Sequence, residues 1–341
     1  MQPGTQPLAM HSRPRAIPRR PVRGRLTAFA WSVLAYNIAV ILWGALVRAT
    51  GSGAGCGGHW PLCNGDVVPS APQIATLIEL THRVMSGVAL AAVAALFVWT
   101  RASFPSGPPS PSGDSPWYAP RRWATLSLVF IVTEALLGAG LVLLGYVAKD
   151  ASAGRAVWLC AHLINTFLLL ASLAMTAWTS SLGPEAPAFR PASGRWYVGA
   201  VGALVAVAMA GVITALGDTL FPADSLAGGF ADDFSVGAPF LVKLRVIHPI
   251  LAILASVLIV TLALPEYRTR RTPRLAALAG WLISLVAGAV AAGALTLLWR
   301  APVPMQILHL SIADSLWIAL VLFTSERFRC GPVRHPGGLP G

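Results

Sequence analysis

Eight stretches of the chain, about 27–47, 74–99, 123–147, 156–179, 196–216, 241–264, 275–298 and 304–324, are each apolar over about 20 residues. At a rise of about 1.5 Å per residue, each matches a hydrocarbon layer about 30 Å thick. Inside that layer water is absent, so every backbone N–H and C=O must be bonded within the protein. Segments of this length meet the requirement as α-helices. The chain is therefore read as an all-α membrane protein of eight transmembrane helices, with the lipid bilayer as its surroundings. Composition agrees: 55% of residues are hydrophobic and 11% charged, against roughly a quarter charged in soluble domains. The fifth stretch is expected to stop at 216, because Gly217 and Asp218 follow it.

The net charge of +12 does not mark a nucleic-acid partner. Arg13, Arg15, Arg19, Arg20, Arg23 and Arg25 precede the first stretch, and Arg101, Arg121 and Arg122 fall in the second connection. Arg190 and Arg195 fall in the fourth, Arg268, Arg270, Arg271 and Arg274 in the sixth, and Arg327, Arg329 and Arg334 follow the last. With eight spans all lie on one side, which positive-inside bias identifies as the cytoplasm. The expected location is the cell (plasma) membrane, multi-pass, with both termini cytoplasmic. Residues 1–25 read as a basic disordered tail, and the first stretch as an uncleaved span, too long for a signal-peptide core. Residues 26–180 form the N-terminal unit and 195–325 the C-terminal unit. The Ser/Pro/Gly-rich 101–120 is a flexible linker within the first, and 326–341 is a cytoplasmic tail. The acidic connection 217–240, with Asp218, Asp224, Asp232 and Asp233, is expected to be a solvated outward loop.

Four cysteines occur. Cys56 and Cys63 share one outward connection, and their spacing suits a small disulfide ring in an oxidising compartment. Two free thiols, or half of a zinc site completed by His59, are the alternatives. Cys160 lies in an apolar run and is expected to be a small core residue.

Histidines give the pattern that points to chemistry. His82, His162, His248 and His309 fall one each in spans two, four, six and eight, always in the outer third, and no odd-numbered span has one. That regularity implies two pseudo-repeated four-helix bundles. Two imidazoles across a bundle can take both axial positions of a haem iron. The pairs are His82 with His162 and His248 with His309. Proton relay and structural hydrogen bonding are the alternatives. Gly138, Gly140, Gly288 and Gly293 remove bulk from odd-numbered spans, as a flat macrocycle or close helix packing requires.

The two units differ three residues before a histidine. Glu79 precedes His82 and shares its helix face; Arg245 precedes His248. An acid buried in a span is costly and is a functional candidate by default. Glu79 is therefore expected to serve proton movement or charge stabilisation in the first pocket. Arg245, and with it Arg48 and Arg83, is a candidate for pairing with haem propionates.

Gly44-Ala45-Leu46-Val47-Arg48-Ala49-Thr50-Gly51-Ser52-Gly53, Cys56 with Trp60-Pro61-Leu62-Cys63-Asn64-Gly65, and Glu79 with His82-Arg83 together resemble the bacterial haem A synthase family. The likeness is densest over 40–90 and extends in plan across all eight spans. It implies an oxidoreductase that converts a methyl group of haem O to the formyl group of haem A for terminal oxidase assembly. It implies haem b on His248 and His309, the substrate haem on His82 and His162, Glu79 as the functional acid, and Cys56 with Cys63 as the outer-loop pair. Haem O, a haem O synthase and an electron donor are the implied partners. Some members carry a second cysteine pair between spans five and six; 217–240 holds none. Gly57-Gly58-His59 also varies the usual loop text. A di-haem electron carrier or a haem-handling chaperone is the alternative.

Overall fold

The computed structural model describes residues 20–104, 118–182 and 194–329. Expectations for residues 1–19, for most of the linker 101–120 and for the tail beyond 329 lie outside these residues. The described chain is helical, without a named strand. Eight helices are long and apolar enough to cross a membrane: α1 (Arg20–Ala49), α2 (Ile74–Ser103), α3 (Tyr118–Leu143), α4 (Ala153–Ser181), α5 (Arg195–Leu220), α8 (Ile247–Thr269, continuous in span with a short α7), α9 (Pro273–Leu298) and α10 (Val303–Arg329). The remaining two are α6 (Leu226–Asp233) and that α7 (Phe240–Lys243).

Local chemistry starts several of them. Ser152 accepts the backbone N–H of Arg155 and Thr272 that of Leu275, each covering an otherwise orphaned donor at a helix N-terminus. Pro273 then occupies the first turn of α9, where its missing N–H costs nothing.

Several boundaries differ from the sequence reading: α1 begins at Arg20, inside the 1–25 expected to be disordered, and α10 runs to Arg329, inside the 326–341 expected to be a tail. α3 stops at Leu143 rather than 147, in a turn where Gly145 takes a left-handed φ of 73°. α5 runs on through Gly217 and Asp218 to Leu220, because Arg245 pairs with Asp218 (Nε to Oδ1, 3.1 Å) and neutralises the acid that was expected to end the span. The sixth span is broken at residues 244–246. Pro249 is the cause: within one continuous helix its ring would collide with the carbonyl of residue 245. The connection 217–240 is not simply a solvated loop, since it contains α6, capped by Ser225 on the N–H of Gly228.

Packing follows chain order. α1 lies against α2, α2 against α3, α3 against α4, and α4 back against α1. In the other set α5 lies against α8, α8 against α9, α9 against α10, and α10 returns to α5. The sets meet where α1 and α4 touch α5 and α10. α4 is the most enclosed of the spans, with Phe167, Leu169, Leu170, Leu173, Ala174 and Ala177 all buried. Its buried Thr176 and Thr179 hydroxyls donate to the carbonyls of Ser172 and Met175, so they need no partner in hydrocarbon. At the junction the rings of Phe167 (α4) and Trp317 (α10) stack 4.5 Å apart, and Trp317 Nε1 donates to the Phe167 carbonyl at 2.8 Å.

That contact predicts a graded loss. Trp317→Phe keeps the stack and gives up one interhelical hydrogen bond, about 0.6 kcal/mol in a membrane. Trp317→Ala adds a cavity and should cost about 3–5 kcal/mol. Thermal unfolding in detergent should rank wild type, Phe and Ala in that order; equal midpoints would show that the junction does not rest on this pair.

Candidate functional site: paired histidines beneath a disulfide-closed cap

Each span histidine lies within the first ten residues of its helix. Three of them rest against a glycine of a neighbouring helix. A Cβ at Gly44 on α1 would stand 2.9 Å from His82 Cε1, one at Gly211 on α5 3.0 Å from His248 Cε1, and one at Gly293 on α9 3.2 Å from His309 Cε1. Any larger residue there forces the ring to move. Of the glycines singled out in the sequence, Gly293 serves this purpose, while Gly140 makes room for Trp158. Gly138 has open space beside it, and Gly288 has only an ordinary contact with Ile312.

His248 and His309 face each other, with ring centroids 6.3 Å apart and planes at 81°. Two imidazoles bonded to one ion at about 2 Å through their Nε2 atoms have centroids roughly 6 Å apart. His248 Nδ1 is 3.0 Å from the Val207 carbonyl, and the Ala289 carbonyl lies beside His309. His309 Nδ1 is buried without a hydrogen bond. Among those residues no group of three or more His, Cys, Asp or Glu is gathered as for a bare metal ion. Two imidazoles and an apolar surround fit instead an iron whose macrocycle supplies the equatorial donors. Residues and haem therefore agree in donor type and separation.

The first set is built differently. His82 has His162, Glu134 and Arg83 as its titratable neighbours, and its Nδ1 is buried without a hydrogen bond. His162 Nδ1 lies 3.3 Å from Glu134 Oε1. Glu134, on α3, is held by Thr166 Oγ1 and by Asn165 Nδ2, and Thr133 Oγ1 supports Asn165 at 2.6 Å. The sequence reading did not single out Glu134. An acid in the middle of span three was the available signal, by the rule that drew attention to Glu79.

Glu79 itself sits at the base of the connection between α1 and α2 and is 3% exposed. Its Oε2 accepts the Cys56 N–H at 2.8 Å, and its Oε1 takes two donors from Arg83. Arg83 Nη1 reaches on to the carbonyls of His59 and Leu62, both at 2.7 Å. Cys56 and Cys63 are joined by a disulfide. Thr76 Oγ1 donates to the Gly55 carbonyl, and a Cβ at Gly55 would stand 2.5 Å from the backbone of Ala75. The ring is thus pressed onto the first turns of α2, and Glu79 and Arg83 pin it there.

Arg48 and Arg245 also end on protein. Arg48, from α1, donates to the Ala215 carbonyl (2.7 Å), Thr219 Oγ1 (2.9 Å) and Gln306 Oε1 (3.0 Å). It therefore crosses to the second set, next to the turn that bears His309. Arg245 lies in the 244–246 break rather than on the helix of His248. It donates to the carbonyls of Gly217 and Phe221 in addition to pairing with Asp218. Cys160 is buried and free.

Eight membrane-length helices, with a half-buried histidine near the start of each even-numbered span, define a multi-pass membrane protein with its candidate ligands gathered at one end. Residues 27–321 match the COX15-CtaA family, described as cytochrome oxidase assembly protein, and the chain belongs to that family. A Thermus thermophilus protein named "Protoheme IX farnesyltransferase" is 43% identical over 317 residues, 93% of this chain and 50% of that protein. The chain thus spans about half the length of this relative. A "Heme A synthase" of Halalkalibacterium halodurans is 38% identical over 110 residues, 32% of this chain and 33% of its own length. One of Bacillus mycoides is 42% identical over 108 residues, 32% of each chain.

The cap makes a direct prediction. Glu79→Gln removes the charge that holds both the Cys56 N–H and Arg83, so residues 56–63 should loosen. Limited proteolysis of the native protein in detergent should cut this loop at least several-fold faster than in wild type. An unchanged rate would mean the disulfide and Thr76 hold the cap without Glu79.

Proposed function

We propose that the protein is a haem A synthase, an oxidoreductase that converts a methyl group of haem O to a formyl group for cytochrome oxidase assembly. The observation that carries this reading is the facing pair His248 and His309 at a separation suited to one haem iron, in a chain of the COX15-CtaA family. Both "Heme A synthase" relatives support it. The two helix sets are one plan used twice, and the repeated contact of Gly44 with His82 and Gly211 with His248 supports this.

In this reading His248 and His309 hold a resident haem b, and His82 with His162 receive haem O as substrate. Haem b supplies one-electron chemistry when bound. Gly44, Gly211 and Gly293 keep the rings where they are. Glu79 acts as a positioning residue: with Arg83 and the Cys56–Cys63 ring it holds a lid of backbone over the first pocket, which limits water and fixes the substrate's edge. Arg48, Arg83 and Arg245 orient the pocket rims. The sites lie toward the outer face of the cell membrane, both termini are cytoplasmic, and an electron donor and a haem O synthase are partners.

The Thermus name raises prenyl transfer as a second reading. That reaction needs carboxylates gathered around a magnesium-bound diphosphate, and among the described residues no such group is found. The farnesyltransferase name is better attributed to the half of that relative which this chain does not cover.

Two measurements test the proposal. Cells that supply haem O and express the chain should yield haem A on extraction, and His162→Ala should abolish it while haem b is retained. If the intact protein accumulates with haem O available and no formyl haem forms, the protein is a haem carrier and not the synthase. Gly211→Leu, which drives a side chain into His248, should lower bound haem b at least tenfold without loss of the membrane-inserted protein. Undiminished haem b would remove His248 as its ligand.

A further inference from the structure

The four histidines differ in what stands behind the ring. His248 Nδ1 has a backbone carbonyl within 3.0 Å, whereas the Nδ1 atoms of His82, His162 and His309 make no hydrogen bond. Only His162 has a carboxylate there, Glu134 Oε1 at 3.3 Å. That carboxylate is costly, because an acid among transmembrane helices is stable only with partners or a task. Three side chains are committed to holding it. Thr166 and Asn165 donate to its two oxygens, and Thr133 fixes Asn165 from the acid's own helix. Asn165 and Thr166 are themselves buried. α3 and α4 are joined elsewhere by the Ser127–Ser172 hydroxyl contact and by Trp158 Nε1 donating to the Leu137 carbonyl, neither of which uses a charged group.

With Glu134 Oε1 3.3 Å from its Nδ1, His162 has Nε2 left for a metal, and the carboxylate attracts a proton on Nδ1 and becomes its partner after a small turn of the ring. Such a partner fixes both the tautomer and the ring's orientation, and makes the imidazole a stronger electron donor. Greater donation to an iron favours the oxidised over the reduced ion. A carbonyl carries less charge and does this less.

We propose that Glu134 is a positioning residue that orients His162 through Nδ1 and biases an iron bound at the His82/His162 site toward the ferric state. The inference rests on the reading that His162 ligates haem. It assigns the difference between the two sites to Glu134, behind the ring, rather than to residues three positions before each histidine. A substrate haem at that site would be poised differently from the resident haem, and electron exchange between the two would be set by this one carboxylate.

The test uses the full chain in detergent, loaded with ferric protohaem as the probe and titrated by optical potentiometry. Wild type should show two reduction steps, and His162→Ala should lose one of them together with one haem per chain. Glu134→Gln keeps the shape and removes the charge. It should retain both haems and shift one step at least tenfold toward ferrous iron, 59 mV upward for one electron, with the other step unmoved as an internal control. Glu134→Asp, which keeps the charge one methylene further away, should shift the same step less and in the same direction. This variant decides the matter if the Gln form does not hold its second haem. Two unmoved steps, or equal movement of both, would overturn the role of Glu134. Full haem retention in His162→Ala would instead overturn haem binding in the first set, and the inference with it.

Discussion

A nitrogen that must sit in hydrocarbon needs a partner, and the structure is organised around meeting that need four times. Three of the span histidines, His82, His248 and His309, rest against a neighbouring glycine, and the Nδ1 atoms of His82, His162 and His309 make no hydrogen bond. Leaving such atoms unpaired in a low-dielectric interior is expensive. Glycines at 44, 211 and 293 let backbones come close enough to hold the rings, and the helix order brings His248 within 6.3 Å of His309. The helices can be long, apolar and loosely specified at their lipid faces because the specificity sits at these contacts.

The same need explains the histidine end of the molecule. Each of the four arginines Arg48, Arg83, Arg155 and Arg245 donates to backbone carbonyls at helix ends or in connections. Carbonyls at helix C-termini and in loops are the orphaned acceptors of a helical protein, and guanidinium groups with five donors suit them. Arg48 matters beyond its own turn, since it leaves the first helix set and closes on α5 and α10 of the second. With the Phe167–Trp317 stack deeper in the junction, it ties the two sets at two levels, so that a disturbance of the cap has a short route to the His309 turn.

Much of this was legible in the sequence, and the rest was lost for identifiable reasons. Span number and type follow from hydrophobic length, which is a strong signal in hydrocarbon. Span ends were less so: Asp218 reads as a stop until Arg245 is seen beside it, and Pro249 was overlooked inside an apolar run. The histidine set was visible from its spacing. A spacing of three residues on one helix shows only one of the directions from which a histidine can be approached. That rule paired Glu79 with His82 and Arg245 with His248. The structure places the Glu79 oxygens under the Cys56–Cys63 ring and Arg245 in a break before α8. His162's partner comes from another helix, which no spacing within one segment reveals. The isolated acids in spans three and eight, Glu134 and the fully buried Asp314, were nevertheless in plain view, and the rule that singled out Glu79 applies to them equally.

The two pockets differ at Glu134 as well as at the residues the sequence suggested. An acid against a cation three residues before each histidine implied that the difference lay at the rim, where the side chains would meet propionates. In the folded chain both rim groups are occupied by protein, Glu79 by Cys56 and Arg83, and Arg245 by Asp218 and two carbonyls. The pockets also differ behind the rings: Glu134 Oε1 lies 3.3 Å from His162 Nδ1 and the Val207 carbonyl 3.0 Å from His248 Nδ1, while the Nδ1 atoms of His82 and His309 make no hydrogen bond. Rim groups choose how a macrocycle enters and sits; a group behind the ligand alters the metal itself. A duplicated bundle can thus keep its ligands, helix order and glycine contacts, and still give its halves different electronic work through a single acid on α3.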